Sequence, residues 1–130
     1  MKIFDSQMDG LQKTLELTWR RNEAINSNIA NAETPQYRAV DLNFSGELDR
    51  AMLGTGAEVK KTDSKHLDLS TNELAHLSAD FSGVTKPDGN NVDLDIQMGR
   101  LSYNSGKYSL ASSVLRKKFQ VLYNAIRQTA

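Results

Sequence analysis

Two histidines, His66 and His76, stand among four carboxylates, Asp63, Asp68, Glu73 and Asp80, and these side chains could ligate a metal or exchange protons. A metal site wants its ligands on one rigid face, as with histidines at i and i+4 of a helix. Here the histidines are ten residues apart in a polar stretch, and they read as solvated loop residues. No serine sits in a nucleophile elbow, no glycine cluster resembles a phosphate loop, and no carboxylate pair has a defined frame. The chain has no cysteine, which removes disulfides, thiol catalysis and thiolate metal sites. The expectation is a protein that is no enzyme and has no metal, cofactor or small-molecule substrate.

The chemistry that remains is hydrogen bonding by amides. Asn26, Asn28 and Asn31 surround Ile29 and Ala30 in NSNIAN, and Thr34, Pro35 and Tyr37 follow. Asparagine inside a helix competes with the backbone for hydrogen bonds and is mildly costly there. Three of them near a helix end point to side chains that bind backbone groups of the following turn. Pro35 pushes Thr34 out of the helical region and stops the helix near Asn31. Tyr37 is placed to dock back on that helix. Val40, Leu42 and Phe44 then alternate with Ala39, Asp41 and Asn43, as in an extended segment lying on a surface. The stretch from Asn26 to Phe44 is architecture.

Two long elements must position that joint. Phe4, Met8, Leu11, Leu15, Thr18, Asn22, Ile25 and Ile29 recur at four-three spacing, a heptad seam with two polar interruptions. A second seam runs through Leu94, Met98, Leu101, Ser105, Tyr108, Ser112, Leu115, Phe119, Leu122 and Ile126. Asp93 and Asp95 suit its first turn by charge. From Asp93 to Gln128 this helix would be about 54 Å long, whereas a globule of this size has a radius of gyration of about 14 Å. Such a helix needs other molecules along its length. Leu110, Val114, Val121 and Ala125 lie off the seam, so that one side can pair with the first helix and the other with a neighbour. Antiparallel pairing puts the basic C-terminal turns beside Asp5, Asp9 and Glu16.

The predicted fold is all-α, with long N- and C-terminal helices forming an antiparallel coiled coil. Leu11, Leu15, Ile25, Ile29, Leu101, Tyr108, Leu115, Phe119 and Leu122 fill its seam. Between them comes a polar, largely irregular middle with short strand-like pieces at Ala57–Val59 and His66–Leu69. The expected divisions are 1–33 for the first helix, 34–53 for an extended or loop segment, 54–90 for the variable middle and 91–130 for the second helix. The middle has too few apolar residues for a core of its own.

The chain has 130 residues and a formal net charge of zero, one domain's worth of sequence. Lys107, Arg116, Lys117, Lys118 and Arg127 occupy the C-terminal segment without any acid. Cations there complement a helix C-terminus, and the aromatics are not interleaved with them for stacking, which argues against nucleic acid. MKIFDSQMDG has no apolar stretch after its lysine, so no classical signal peptide is expected. No run approaches the ~20 apolar residues of a membrane span.

The NSNIAN-x-x-TP-x-Y stretch resembles the N-terminal signature of the axial proteins of the bacterial flagellum, which build its rod, hook and filament junctions. DGNNVDLDIQM (Asp88–Met98), the helix SGKYSLASSVLRKKFQVLYNAIR and the leading WRRNEAINSNIAN narrow the resemblance to the proximal rod members of that family, and TDSKHL (Thr62–Leu67) is similar to a short piece of them. The likeness spans residues 10–50 and 86–130. It implies a structural subunit of the basal body that polymerises through its terminal helices to build the drive shaft and transmit torque. The helices would be disordered before assembly. It also implies as partners other copies, other rod subunits, the membrane ring with its small adaptor, and the type III export apparatus. The implied location is the periplasmic rod, reached by that apparatus without a cleaved signal. Phe44 and Leu48 match in type and place the Phe-x-x-x-hydrophobic export-gate motif of rod and hook subunits. A differently placed rod subunit (FlgC-type) or a cytoplasmic coiled-coil adaptor or chaperone is the rival reading. One departure stands out: the family commonly has glycine after the proline, and here it is Gln36. Glutamine resists the positive φ of a type II turn, which points to a type I turn.

Overall fold

The computed structural model describes residues 6–53 and 76–128. In order they form α1 (Ser6–Ala30), β1 (Val40–Leu42), α2 (Phe44–Leu53), β2 (Leu77–Ala79) and α3 (Leu94–Gln128). Asp5, His66, TDSKHL and the strand-like pieces at 57–59 and 66–69 lie outside the described residues. None of the described helices is long and apolar enough to cross a membrane.

Local sequence explains the helix boundaries. Asp93 caps α3, its Oδ1 accepting from the backbone N–H groups of Asp95 (2.9 Å) and Ile96 (3.2 Å). α1 ends at the Asn31–Pro35 stop. The helices α1 and α3 run antiparallel, as three tie points show: Asn28 to Gln97, Thr18 to Asn104, and Gln7 to Lys118. At the far end of the pair, Lys118 of α3 donates to Gln7 Oε1 of α1 at 2.7 Å.

Two expectations are corrected. Residues 44–53 form a helix, not an extended segment. Asn43 caps it, accepting from the Gly46 N–H at 3.3 Å, and Phe44, Leu48, Ala51 and Met52 repeat at helical spacing toward α1. The fold is also mostly helical rather than purely so. β1 and β2 pair antiparallel in a two-stranded sheet, with Val40 opposite Ala79, Asp41 opposite Ser78 and Leu42 opposite Leu77.

The seam of α3 has a different phase from the expected one. Its buried residues are Gln97, Asn104 and Ala111, one heptad apart. The column Leu101, Leu115 and Leu122 is half-buried beside them. Tyr108 and Phe119, expected inside, are 45% and 48% exposed. The apolar pattern misleads here because the helices close over polar side chains that bond across the pair, Gln97 to Asn28 and Asn104 through its Nδ2 to the Thr18 carbonyl, which offsets the cost of burying them. α1 has two buried faces. Met8, Thr18 and Ile25 lie on the four-three seam, whereas Leu17, Ala24 and Asn28 lie off it. Thr18 spends its hydroxyl on the Thr14 carbonyl at 2.8 Å, which lets it be fully buried.

Candidate functional site: an asparagine-bound joint

Ala32, Ala39 and Val92 form a small apolar cluster with Tyr37 packed on it, and a shell of buried amides surrounds this cluster. Asn28 is completely buried. Its Nδ2 donates to the Val40 carbonyl at 2.7 Å and to Gln97 Oε1 at 3.2 Å. Its Oδ1 accepts from the Val40 N–H at 3.0 Å and the Tyr37 hydroxyl at 3.3 Å. The side chain thus pairs with Val40 as a neighbouring strand would, pinning the chain after the turn to α1. Asn31 closes the helix end, donating to the Ser27 carbonyl at 2.8 Å and accepting from the Thr34 hydroxyl at 3.1 Å. Asn26 is exposed, and its side chain makes no hydrogen bond among the described residues. Tyr37 docks back on α1, with its hydroxyl 3.2 Å from Ser27 Oγ.

A second pair of asparagines completes the joint from the other end of the chain. Asn90 Nδ2 donates to the carbonyls of Asn31 (2.9 Å) and Thr34 (2.8 Å), while its Oδ1 accepts from the Val92 N–H at 2.7 Å. Asn91 Oδ1 accepts from the Ala39 N–H at 2.7 Å, and its Nδ2 donates to the Asp80 carbonyl at 2.6 Å. Lys86 Nζ reaches the Ala32 carbonyl at 3.0 Å. The carbonyls of the turn that follows α1, at Asn31, Ala32 and Thr34, are thus met by residues 54 to 59 positions away in sequence.

The turn at Gln36 corrects a sequence expectation. Gln36 takes a φ of 61°, and the Tyr37 N–H bonds the Thr34 carbonyl at 3.3 Å, so Thr34–Tyr37 is a type II turn, not type I. The Asp88 carbonyl accepts from the Gln36 N–H at 2.9 Å, and this tie holds the glutamine where glycine is preferred.

Beneath the joint lies an ion network that the sequence pattern did not reveal. Arg21 holds Asp41 with two hydrogen bonds of 2.8 and 2.7 Å. Arg100 bonds Asp80 and lies 3.4 Å from Asp41. The hydrogen bond to Asp41 raises the Arg21 pKa despite its burial. Burial would push the Asp80 carboxyl up, but hydrogen bonds from Arg100 and Ser82 outweigh it and hold the group below its ordinary value. Four elements and segments (α1, β1, the stretch after β2, and α3) are thereby locked together. Among the described residues, Asp80 is engaged by this network and by no histidine. His76 lies 3.3 Å from the buried carboxylate of Glu47, which Arg50 also approaches at 3.1 Å.

Of the remaining residues singled out in the sequence, Ile25 is fully buried, and Leu11, Leu15 and Ile29 are half-buried, as are Phe44 and Leu48. Ala30, Thr34 and Pro35 are exposed. Lys107 Nζ caps the Phe44 ring at 4.3 Å. Leu48 lines a groove with Gly10, Leu11, Met52 and Val114.

No protein-family model matches the chain. Curated relatives do. The flagellar basal body rod protein FlgB of Yersinia enterocolitica is 34% identical over 124 residues, covering 90% of each chain. FlgB of Bacillus subtilis is 32% identical over 124 residues and 94% of each chain. The chain belongs to the FlgB family of flagellar basal body rod proteins. FlgB of Borrelia hermsii is also similar, at 32% over 92% of this chain and 95% of its own. The FlgB family consists of structural rod proteins, not enzymes, and the likeness runs through both halves of the joint.

Proposed function

We propose that the chain is a structural subunit of the proximal rod of the bacterial flagellar basal body, polymerising through α1 and α3 to build the drive shaft and transmit torque. The observation that carries this reading is the apolar surface that α3 leaves uncovered. Over its 35 residues, about 52 Å at 1.5 Å per residue, Leu110, Val114, Val121, Tyr123 and Ile126 are 66%, 38%, 67%, 60% and 66% exposed. Exposed apolar surface along so much of a helix favours burial against neighbours. The antiparallel α1–α3 pair supports coiled-coil packing in the assembled state, and the joint supplies the rigidity that a shaft needs. Its partners are other copies and other rod subunits, with the membrane ring and its adaptor at the base.

Export by the type III apparatus to the periplasmic rod belongs to the same reading. Phe44 and Leu48 stand one turn apart on α2, partly covered by Lys107 and α1, so recognition of the motif requires α2 to be released from α1 first. The test is complementation in a flagellated bacterium whose own FlgB has been deleted and which no longer swims. The full chain restores swimming and co-purifies with the membrane-ring adaptor, and its secretion is lost when the type III apparatus is disabled. Retention in the cytoplasm of an export-competent cell would overturn the reading.

A further inference from the structure

The helix α2 is held to the rest of the chain by weaker means than those that join α1 to α3. Its apolar residues Phe44, Leu48 and Ala51 are half-buried and Met52 is exposed, so none is sealed in as Leu17 and Ile25 of α1 are. The one buried side chain described on α2 is the carboxylate of Glu47. Arg50, at 3.1 Å from that carboxylate, sits on α2 itself and moves with it, while His76, at 3.3 Å, is largely exposed. A carboxylate that returns to water recovers its hydration, so Glu47 does little to keep α2 in place.

Two lysines of the long helices grip α2, one at each end. Lys107 of α3 is half-buried and sets its Nζ over the Phe44 ring at 4.3 Å, with the Tyr103 ring 5.0 Å away. A cation over an aromatic face is attracted by the ring quadrupole, the more so where water is partly excluded. At the other end Lys13 Nζ of α1 donates to the Ala51 carbonyl, which lies among the carbonyls that a helix leaves open in its last turn, and its charge complements the negative end of the helix dipole. Close by, α2 passes Gly10 of α1, where an added Cβ would lie 3.3 Å from the Met52 sulfur. Neither lysine takes part in the asparagine joint or in the Arg21–Asp41–Arg100–Asp80 network. Leu42, two residues before α2, is buried, which fixes the chain up to Asn43.

We propose that α2 is a flap closed by Lys13 and Lys107, that it opens as a unit while the joint and the α1–α3 pair stay folded, and that this opening presents Phe44 and Leu48. The inference rests on the reading of those two residues as an export signal; it adds what keeps the signal covered and how it is uncovered without unfolding the subunit. Local openings draw on the parts of a structure with the fewest buried apolar contacts, and α2 is such a part.

Hydrogen exchange on the full-length chain reads the flap directly. In the natural chain the amides of α2 exchange faster than those around Ile25 and Gln97. K13Q/K107Q speeds exchange in α2 about tenfold, the order expected when a half-buried cation–π contact and a cation at a helix C-terminus are lost together, and leaves protection at Ile25 and Gln97 unchanged. K107R, which keeps a cation over the Phe44 ring, matches the natural chain where K107Q does not. Exchange of α2 at the rate of Ile25 and Gln97, or a rise that is equal at all three places, means that α2 opens only with the whole fold and overturns the flap. Secretion of the same chains in an export-competent cell separates this proposal from the export reading. F44A/L48A is not secreted, and K13Q/K107Q is secreted faster than the natural chain. Loss of secretion in F44A/L48A without a gain in K13Q/K107Q overturns the flap and leaves the export reading standing; secretion of F44A/L48A at the natural rate sinks both.

Discussion

At the residue scale, a few fully buried amides hold the joint. Asn28 makes four hydrogen bonds in a solvent-free position. Replacing it by leucine leaves the Val40 N–H and carbonyl without partners, at about 1–3 kcal/mol for each buried group left unmade. Asn28→Leu therefore lowers stability by roughly 3 kcal/mol or more, read as a shift of the urea midpoint. Asn26→Ala, at an exposed position two residues earlier, changes it by less than about 0.5 kcal/mol. Small gains in both variants would show that the signature asparagines act only through helix propensity, since alanine and leucine are better helix formers than asparagine. Asp80 adds a dependence on pH. Its pKa in the folded chain lies below the ordinary value, so its contribution is present above the unfolded carboxylate pKa of about 3.9 and is lost as pH falls through the folded value. The stability gap between the natural chain and Asp80→Asn is thus constant near neutrality and shrinks in acid. A gap that widens in acid contradicts the Arg100–Asp80 assignment.

At the element scale, α3 carries its information unevenly. Gly99 and Gly106 lie inside it, and a Cβ added at either meets nothing within 4 Å. Each Gly→Ala change stabilises the isolated chain by about 0.5–1 kcal/mol through helix propensity, seen as a higher thermal midpoint. If either variant also impairs swimming, the glycine faces a neighbouring subunit closely. Gly83 behaves oppositely: a Cβ there would sit 2.1 Å from the Asn91 carbonyl oxygen, so Gly83→Ala displaces the strap that carries Asn91 to Ala39. Much of this layer was legible in the sequence. The stop at Pro35, the bonding of Asn28 to the backbone beyond the turn and the limits of α3 follow from local spacing and local sterics, whereas Asn31 bonds back to the Ser27 carbonyl and not forward to the following turn's backbone. The phase of the α3 seam did not, because Gln97 and Asn104 read as solvent-facing until Asn28 and the Thr18 carbonyl are placed opposite them. α2 was hidden by the Val40–Leu42–Phe44 alternation, although Asn43 as cap with Phe44, Leu48, Ala51 and Met52 carried the helical signal. The Arg21–Asp41–Arg100–Asp80 network joins residues 20 or more apart, and no local pattern marks such pairs.

At the scale of the whole molecule, order is concentrated at one end. The joint, the ion network and the two-stranded sheet gather around the C-terminal half of α1 and the first turns of α3. Beyond Ala111 no described residue of α3 is buried. Most helical stability in proteins comes from tertiary packing of one face and not from propensity, so the far half of α3 depends on contacts that the single chain supplies sparingly. Hydrogen exchange on the dilute full-length protein is accordingly graded along one continuous helix. Amides from Ile96 to Ala111 are protected through the joint and the α1 contact, and protection declines from Ser112 toward Gln128. On assembly the gradient disappears, because neighbours cover Val114, Phe119, Val121 and Tyr123, and the newly protected amides are those of the far half. Protection that is already uniform along α3 at high dilution would mean that the chain completes its own fold. Polymerisation would then join finished subunits and would not finish them.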